Sequence, residues 1–329
     1  MRFLVVGCGS IGERHIRNLK SLGFEDISVC DLRSEQLVKI EEKYKINKTY
    51  NNLSEALKND IDAVLVCTPN VTHIPIVRTA LDSNCHVFVE KPLSHSLDGV
   101  DEVIEEAAKK DLVLMVGFNL RFHPNLQKIK ELLEKGRIGK VTGARVEFGY
   151  YLPNWHPYED YREGYSAQQR LGGGIIFDAI HELDYIRWFL GEVAEVFCFA
   201  DKLSSLKINT EDSAEILLRF KSGIFAEIHL DYIQRAYSRS CKIIGEEGTI
   251  LWDFNEKTVK LFDAEEEKWH YFVEEDFDFN RTYVNEIKHF IQCIKNEKKP
   301  LIEGEEEKKI LEIAMAAKRS AEIGEVIRL

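Results

Sequence analysis

The chain has 329 residues, 44% of them hydrophobic and 30% charged, a composition typical of a globular protein with about two domains. Its formal net charge of -12 disfavours general nucleic-acid binding, because phosphates are neutralised by a concentrated positive field. No stretch approaches the roughly 18 apolar residues of a membrane span. The seven cysteines form no C-x-x-C pair, and the ten histidines include no H-E-x-x-H arrangement, so neither a zinc site nor a disulfide framework is indicated. The N-terminal run is typical of a strand and not of a signal peptide, so we expect a cytoplasmic protein without a catalytic metal.

The first third of the chain alternates short apolar runs with amphipathic stretches. One of the latter, residues 96–110, has Ser96 as a candidate helix N-cap. Strands that are apolar almost throughout and are separated by helices indicate a parallel sheet covered on both faces. We therefore predict a doubly wound α/β domain over residues 1–120. The predicted strands are Phe3–Val6, Ile27–Cys30, Ala63–Cys67, His86–Glu90 and Leu112–Val116.

A different pattern follows the predicted helix Leu126–Glu134. Several runs alternate apolar and polar residues between short turns, which favours an antiparallel sheet with one exposed face. Two helices, Val284–Lys295 and Glu305–Ile323, are predicted to close the chain. We therefore predict an α+β domain over residues 121–329. Its predicted strands lie within residues 141–151, 193–200, 213–220, 224–232, 241–245, 248–254 and 257–262.

The loop after the first strand is rich in glycine. GCGSIG places Gly7, Gly9 and Gly12 around Ser10 and Ile11, immediately before a helical pattern. Such glycines permit a tight turn and the close approach of a pyrophosphate to a helix N-terminus. The motif predicts a dinucleotide site, although a glycine turn without a ligand remains the alternative.

Two charged residues follow the second strand and bear on the choice of dinucleotide. Asp31 stands about 20 residues after Gly12, where a carboxylate accepts hydrogen bonds from an adenosine ribose. It would repel a 2′-phosphate, which favours NAD. Arg33 could neutralise that phosphate, so NADP remains possible.

The run HVFVEKPLS ends a predicted strand with Glu90, Lys91 and Pro92. A residue before proline is biased to extended geometry, so Lys91 is expected to project from the carboxyl edge of the sheet, where open α/β folds bind ligands. A lysine there can hydrogen-bond a substrate oxygen. The alternative is a solvated lysine at a strand end.

The segment GGGIIFDAIHELD, residues 172–184, carries Asp178 and His181 on one predicted helix face, among apolar neighbours. Ionised groups in such surroundings are costly unless they are paired or face a wet cleft. A cleft at a domain junction would resolve this conflict. The glycines would let the chain pass close to a ligand, and the carboxylate would orient the imidazole for acid/base chemistry. A purely structural pair is the alternative.

The preceding segment, residues 150–170, mixes aromatic and polar side chains. Aromatic faces suit the apolar faces of a sugar ring, and polar groups can fix its hydroxyls. Tyr161, Arg162 and Tyr165 are our candidate substrate contacts. The alternative is that these aromatics pack beneath a loop or between subunits.

Together these motifs resemble the glucose-fructose oxidoreductase, inositol dehydrogenase and rhizopine-catabolism (Gfo/Idh/MocA) family, and the resemblance covers essentially the whole chain. The segments that carry it are GCGSIGERH at 7–15, CTPNVTH at 67–73, EKP at 90–92, GFNLRFHP at 117–124 and GGGIIFDAIHELD at 172–184.

The resemblance implies an N-terminal Rossmann domain and a C-terminal domain whose large open sheet supports a homodimer or homotetramer. It implies reversible NAD(P)-dependent oxidation of a secondary alcohol on a sugar, a sugar derivative or a nucleotide sugar. Lys91 resembles the family lysine at the reacting oxygen, and His181 resembles the general acid/base. The family aspartate stands four residues before its histidine, whereas Asp178 stands three before His181.

The resemblance also assigns residues to the cofactor and substrate. Thr68, Pro69, Asn70 and His73 are expected near the nicotinamide side, together with Glu90 and Lys91. Arg121, in the GFNLRFHP segment, is a further substrate candidate. Two other hypotheses stay open: a non-catalytic NAD(P)-binding regulator or scaffold, and an enzyme acting on cyclic diols or tetrapyrroles. The presence of both Lys91 and His181 favours the enzyme.

Overall fold

A computed structural model describes residues 1–155, 157 and 159–329 of the chain, so His156 and Tyr158 of the aromatic segment lie outside the described residues. The chain forms two compact units, each built from two pieces. The first comprises Met1–Asn119 with Phe279–Leu311, and the second comprises Leu120–Asp278 with Glu312–Leu329. This differs from the predicted division, which assigned all of residues 121–329 to one domain.

The helices and strands of the described residues are numbered in chain order. The strands are β1 (Phe3–Val6), β2 (Ile27–Cys30), β3 (Lys48–Tyr50), β4 (Ala63–Val66), β5 (His86–Glu90), β6 (Leu114–Gly117), β7 (Val141–Gly149), β8 (Val193–Asp201), β9 (Ser213–Phe220), β10 (Phe225–Asp231), β11 (Ser238–Gly245), β12 (Gly248–Asp253), β13 (Thr258–Asp263), β14 (Lys268–Val273) and β15 (Ile327–Arg328). The α-helices are α1 (Ser10–Ser21), α2 (Ser34–Tyr44), α3 (Leu53–Ala56), α4 (His73–Asp82), α5 (Val100–Lys109), α6 (Pro124–Glu134), α7 (Ile175–Asp178), α8 (Ile180–Leu190), α9 (Asn280–Asn296) and α10 (Gly304–Ile323).

The first unit contains a six-stranded sheet in the order β3-β2-β1-β4-β5-β6, with every neighbouring pair parallel. Strands β1, β2, β4 and β6 are buried along their whole length, as their apolar sequences require. The predicted doubly wound parallel sheet is confirmed. Strand β3 was not predicted, because it has only three residues, Lys48–Tyr50, and they form no apolar run. The strand order reverses between β1 and β4, and open α/β sheets bind ligands at the carboxyl edge of such a point.

The predicted start of helix α5 is wrong. The capping position is Gly99, with φ +75°, and the helix begins at Val100. Ser96 instead accepts a hydrogen bond from the Asp98 N–H at 3.3 Å in the preceding turn, so its hydroxyl is used four residues before the helix begins.

The second unit contains a nine-stranded sheet in the order β14-β13-β12-β11-β7-β10-β9-β8-β15. Its neighbouring pairs are antiparallel except β7 with β10, which run parallel. In β9 buried residues alternate with more exposed ones, as expected for a sheet with one covered face. Helices α6, α7 and α8 contact this sheet. The predicted α+β architecture with a largely antiparallel sheet is confirmed, although β14 and β15 were not predicted.

Length and apolarity together decide whether a helix can cross a bilayer. Among the described residues, no helix has enough of both to do so.

Candidate active site

The glycine loop joins β1 to α1. Its three glycines differ in what a side chain at each position would meet. Gly7 adopts φ +91°, and a Cβ at this position would lie 2.5 Å from the carbonyl oxygen of Cys67. A Cβ at Gly12 would overlap the carbonyl oxygen of Gly7. A Cβ at Gly9 would meet no atom of the protein within 4 Å. Gly7 and Gly12 are therefore required by the fold, whereas Gly9 leaves open space at the start of α1.

That open space fits a pyrophosphate. Gly9 occupies the N-cap of α1 and offers no side chain to the first turn, so the helix N-terminus is uncovered by any cap. Ser10, which is exposed, and Ile11 are the first two helical residues. A helix N-terminus attracts anions through its N–H groups and its dipole. These residues could hold the phosphates of a dinucleotide.

Asp31 lies directly after β2 and is 8% exposed. Its Oδ2 accepts a hydrogen bond from the Cys8 N–H at 2.8 Å, and Arg33 donates to both of its oxygens at 3.0 Å. Burial opposes the charge of Asp31, but the hydrogen bonds from Arg33 and Cys8 outweigh it and lower the pKa of the carboxyl. The carboxylate is therefore ionised at neutral pH. It forms an ion pair with Arg33, the residue that was expected to neutralise a 2′-phosphate if the cofactor were NADP.

A cleft of about 470 Å³ opens beside this ion pair. Gln36, on α2, also reaches the glycine loop, where its Nε2 donates to the carbonyl oxygen of Cys8 at 2.5 Å. The residues lining the cleft are Arg33, Ser34, Glu35, Gln36 and Lys39. Its position next to Asp31 suits the adenosine half of a dinucleotide.

The loop after β4 contains the predicted nicotinamide-side residues Thr68, Pro69, Asn70 and His73. His73 is 1% exposed, with Nε2 2.7 Å from the Thr68 carbonyl oxygen and Nδ1 2.8 Å from the Pro92 carbonyl oxygen. Burial lowers the pKa of His73, so the ring is neutral at neutral pH and only one of these nitrogens donates. His73 thus ties the loop after β4 to the loop after β5 and presents almost no surface to a ligand.

Glu90 and Lys91 stand at the carboxyl end of β5, as predicted. Glu90 Oε1 lies 2.6 Å from Nε2 of His15, a buried residue of α1. Lys91 follows it and is partly exposed. The strand therefore places the lysine at the edge of the sheet where a ligand is expected.

Asp178 and His181 lie on two helices and not on one. Helix α7 ends at Asp178, Ala179 leaves the helical region with φ -93° and ψ 26°, and α8 begins at Ile180. The prediction that the pair shares one continuous helix face is therefore wrong, because the helix breaks between them. Asp178 is buried and accepts a hydrogen bond from the Tyr232 hydroxyl. The hydrogen bond from Tyr232, the residue that follows β10, helps to orient this carboxylate.

Two buried ion pairs hold α8 in the second unit. Arg121 donates to both oxygens of Asp184, with Nε 2.8 Å and Nη2 2.7 Å away, and its guanidinium lies 4.6 Å from the centre of the Trp188 ring. Glu182 Oε1 lies 2.8 Å from Nε of Arg239. These pairs explain why a buried helix carries carboxylates. Arg121, a predicted substrate contact, is 3% exposed and supports the helix that carries His181.

The glycines before α7 serve the protein's own packing. A Cβ at Gly173 would overlap the carbonyl oxygen of Tyr165, and one at Gly174, where φ is +115°, would overlap the carboxylate of Glu211. Lys318 holds Glu211 there, with both of its oxygens 2.9 Å from the lysine Nζ. The close approach that sequence analysis assigned to a ligand is made by the chain itself.

The three candidate substrate contacts differ in their surroundings. Arg162 is exposed and forms an ion pair with Asp160, whose pKa the arginine's hydrogen bonds lower to about 2. The Tyr161 hydroxyl accepts a hydrogen bond from the Lys207 N–H at 3.3 Å. Tyr165 begins a short 3-10 helix, Tyr165–Ala167, and is partly exposed.

Several residues that shape the site were missed by sequence analysis. They are His15, Gln36, Tyr232 and Arg239. His15 stands within the glycine-motif segment, so its place on α1 was readable. The others are remote in sequence from the groups they serve, and no local pattern marks them.

One group of metal-ligating side chains occurs among the described residues. Asp263, Glu266 and His270 offer ligand atoms within 4.8 Å of one another on the β13–β14 hairpin. Arg137 and Lys268 already pair with the two carboxylates. Glu266 is exposed, and Asp263 and His270 are partly exposed.

Comparison with known proteins gives the following relatives. Residues 1–118 match the family described as "Oxidoreductase family, NAD-binding Rossmann fold" (GFO_IDH_MocA), and residues 126–251 match the "GFO/IDH/MocA C-terminal domain". The chain is 36% identical to myo-inositol 2-dehydrogenase of Thermotoga maritima, over 100% of this chain and 98% of the relative. It is 25% identical to scyllo-inositol 2-dehydrogenase (NAD(+)) of Bacillus subtilis, over 100% of this chain and 96% of the relative. The crystal structure of a probable dehydrogenase from Thermotoga maritima superposes with a TM-score of 0.83 at 34% identity, covering 100% of this chain and 99% of that one.

Proposed function

Because the chain belongs to the GFO/IDH/MocA family of NAD-binding oxidoreductases, we propose that it oxidises one secondary hydroxyl of an inositol or a similar sugar-like polyol to a ketone. The observation that carries this proposal is the end-to-end similarity, at 36% identity, to a relative named myo-inositol 2-dehydrogenase. The chain is thus assigned to the dehydrogenases with NAD as cofactor. An inositol is our choice of substrate within the broader class of sugars, sugar derivatives and nucleotide sugars.

The cofactor fits the glycine loop. Gly9 leaves space at the start of α1, and the ionised Asp31 lies where an adenosine ribose would be hydrogen-bonded. Pro69 and Asn70, in the loop after β4, are our candidates for contact with the nicotinamide. His73 contacts the same loop through the carbonyl oxygen of Thr68. When bound, NAD accepts the hydride that leaves the substrate carbon.

The residues of the chain supply the proton chemistry. In our proposal Lys91 donates a hydrogen bond to the reacting oxygen and stabilises the negative charge that develops on it. His181 accepts the hydroxyl proton as general base. Asp178, held by the Tyr232 hydroxyl, is a candidate to orient that imidazole or the substrate.

Substrate recognition is assigned to the segment before the glycines. Tyr161 and Tyr165 would offer aromatic faces, and Arg162 would hydrogen-bond hydroxyls of the polyol. Arg162 is exposed and its partner Asp160 is local, so the pair can reorganise around a ligand at little cost. Arg121 belongs to the support of α8 and not to the surface offered to substrate.

We further propose a homodimer or homotetramer that works in the cytoplasm. The open face of the nine-stranded sheet, which includes Phe199, Leu217 and Phe225, each more than half exposed, supports an assembly through this sheet. The seven cysteines are all unpaired and buried, which suits a reducing compartment.

The test is reduction of NAD, followed by absorbance, with a panel of inositols, free sugars and nucleotide sugars. Lys91→Ala and His181→Ala are expected to reduce turnover by about 10²- to 10⁴-fold. NAD affinity should stay close to that of the wild type in His181→Ala. Lys109→Ala, at an exposed lysine of α5, is the control and should keep full activity. NAD binding without turnover on any panel member would instead favour the non-catalytic regulator.

A further inference from the structure

Glu286 is a fully buried carboxyl group that the proposed chemistry does not use. It lies on α9 within the first unit and is 0% exposed. Within the described ranges 1–155, 157 and 159–329, neither of its oxygens has a hydrogen-bond partner, and no basic side chain pairs with it. An ionised carboxylate in such a place is very costly, because neither water nor a cation compensates its charge.

The surroundings of Glu286 are aromatic. Tyr283 and Phe290 stand three residues before and four residues after it, so all three share one face of α9. The Phe290 ring lies 5.8 Å from that of Phe88 on β5, and the Tyr283 ring lies 6.2 Å from the imidazole of His15 on α1. This face of α9 therefore packs against the part of β5 that leads to Glu90.

Glu90 is the charged group on the part of β5 that this face of α9 covers. It follows Phe88 by two residues and so points to the same side of the sheet. Its Oε1 is 2.6 Å from Nε2 of His15, whereas Glu286 has no such partner. Burial, and after it the charge of Glu90, raises the pKa of Glu286 well above the ordinary value. Cys67, which directly follows β4, is a further titratable group near these carboxyls, and burial raises the pKa of its thiol well above the ordinary value, so it stays neutral.

We propose that Glu286 is a positioning residue that stays protonated beside Glu90 and so fixes the Glu90 carboxylate, and the adjoining Lys91, for the bound cofactor. The buried site admits one negative charge, which Glu90 carries because only Glu90 has His15 as a partner. The neutral Glu286 does not repel that carboxylate and has an acid O–H to offer it, which an apolar side chain of similar volume lacks. This inference rests on the proposed function only in placing the cofactor at the carboxyl edge of the sheet.

The protonation state and the coupling to the cofactor are tested by infrared difference spectroscopy of the full-length protein at neutral pH. The wild type should show the C=O stretch of a protonated carboxylic acid, and addition of NAD should shift it. Glu286→Gln should remove both the band and the shift. The matched control is Glu307→Gln, at a second fully buried glutamate of the unit, whose Oε1 accepts the Leu93 N–H at 3.1 Å; the band must survive there.

A second variant separates positioning from folding. Glu286→Leu keeps a neutral, buried side chain but cannot hydrogen-bond, and we expect NAD affinity to fall about tenfold while the unfolding midpoint changes little. Glu286→Gln should recover most of that affinity, because an amide keeps the shape and the polarity of the neutral acid. Absence of the carboxylic-acid band from the wild type would overturn the proposal. A band that NAD leaves unmoved, or equal NAD affinity in the leucine variant, would overturn it too.

These readouts need no substrate. A failure to oxidise any polyol would therefore refute the proposed function while leaving the band and the NAD titration interpretable. Conversely, an active dehydrogenase without the band would refute only the role of Glu286.

Discussion

The guanidinium of Arg121 donates hydrogen bonds to both carboxylate oxygens of Asp184 inside the second unit, and the same guanidinium lies over the ring of Trp188. The pair is almost entirely removed from water, with the two side chains 4% and 0% exposed. Bidentate geometry of this kind fixes orientation as well as charge. It therefore sets the position of α8, the helix that carries His181.

Arg121→Leu should destabilise the second unit by about 3 to 5 kcal/mol, because it leaves the Asp184 carboxylate buried without a partner. Urea unfolding measures this. Arg162→Leu, which removes the exposed arginine paired with Asp160, is the control and should leave the unfolding midpoint unchanged. Equal midpoints for both variants would show that the buried pair does not hold α8.

Alanine at two neighbouring glycines should have opposite consequences. At Gly12 a Cβ collides with the Gly7 carbonyl oxygen, so Gly12→Ala should cost about 1 to 3 kcal/mol of stability. At Gly9 a Cβ meets only open space, so Gly9→Ala should fold normally and lose at least about tenfold in NAD affinity, because the methyl group would occupy space that the pyrophosphate needs. Thermal unfolding and NAD titration of both variants check this. Wild-type NAD affinity in Gly9→Ala would show that the pyrophosphate does not bind at Gly9.

Asp31→Ser should shift the cofactor preference towards NADP. The substitution removes the negative charge that repels a 2′-phosphate and releases Arg33 from its ion pair. We expect NADH affinity to fall by about tenfold or more, the cost of a charge-assisted hydrogen bond, and NADPH affinity to rise. Fluorescence titration with both nucleotides measures the ratio. Asp26→Ser, at an exposed aspartate just before β2, is the control, and an unchanged ratio in Asp31→Ser would remove Asp31 from cofactor selection.

His229 should make the second unit less stable as the pH rises into the alkaline range. Its Nδ1 lies 2.6 Å from Glu215 and its Nε2 2.9 Å from Asp231, and the Asp231 hydrogen bond is the main cause that raises the pKa of His229 to about 9. The folded pKa exceeds the unfolded value of about 6.5, so the stabilisation is complete below pH 6.5 and is lost as pH rises through about 9.

The size of this effect is about 1 kcal/mol, because solvent screens a side chain that is 36% exposed. The measurement is the urea midpoint of the wild type and of His229→Gln between pH 6 and pH 10. The difference between the two proteins should narrow towards the alkaline end. A constant difference across this range would show that His229 is not charged in the folded protein.

The sequence by itself determined the features that repeat locally. Apolar runs separated by helices specified the parallel sheet, because a strand buried on both faces needs apolar residues at nearly every position. Alternation specified the antiparallel sheet, and the spacing of Gly7, Gly9 and Gly12 specified the glycine loop between β1 and α1. The candidate positions of Asp31, Lys91 and His181 followed from their places just after strands or in the glycine-led segment.

Only the tertiary structure decided which partner each buried charge has. Asp178 is held by Tyr232, 54 residues away, and Asp184 by Arg121, 63 residues away. Local spacing carries no information about such pairs, because burial energetics acts on groups that meet in space and not along the chain. For the same reason the break at Ala179 and the isolation of Glu286 beside Glu90 could not be read from the sequence. Helix periodicity predicted one continuous face for Asp178 and His181, whereas the structure breaks the helix between them at Ala179.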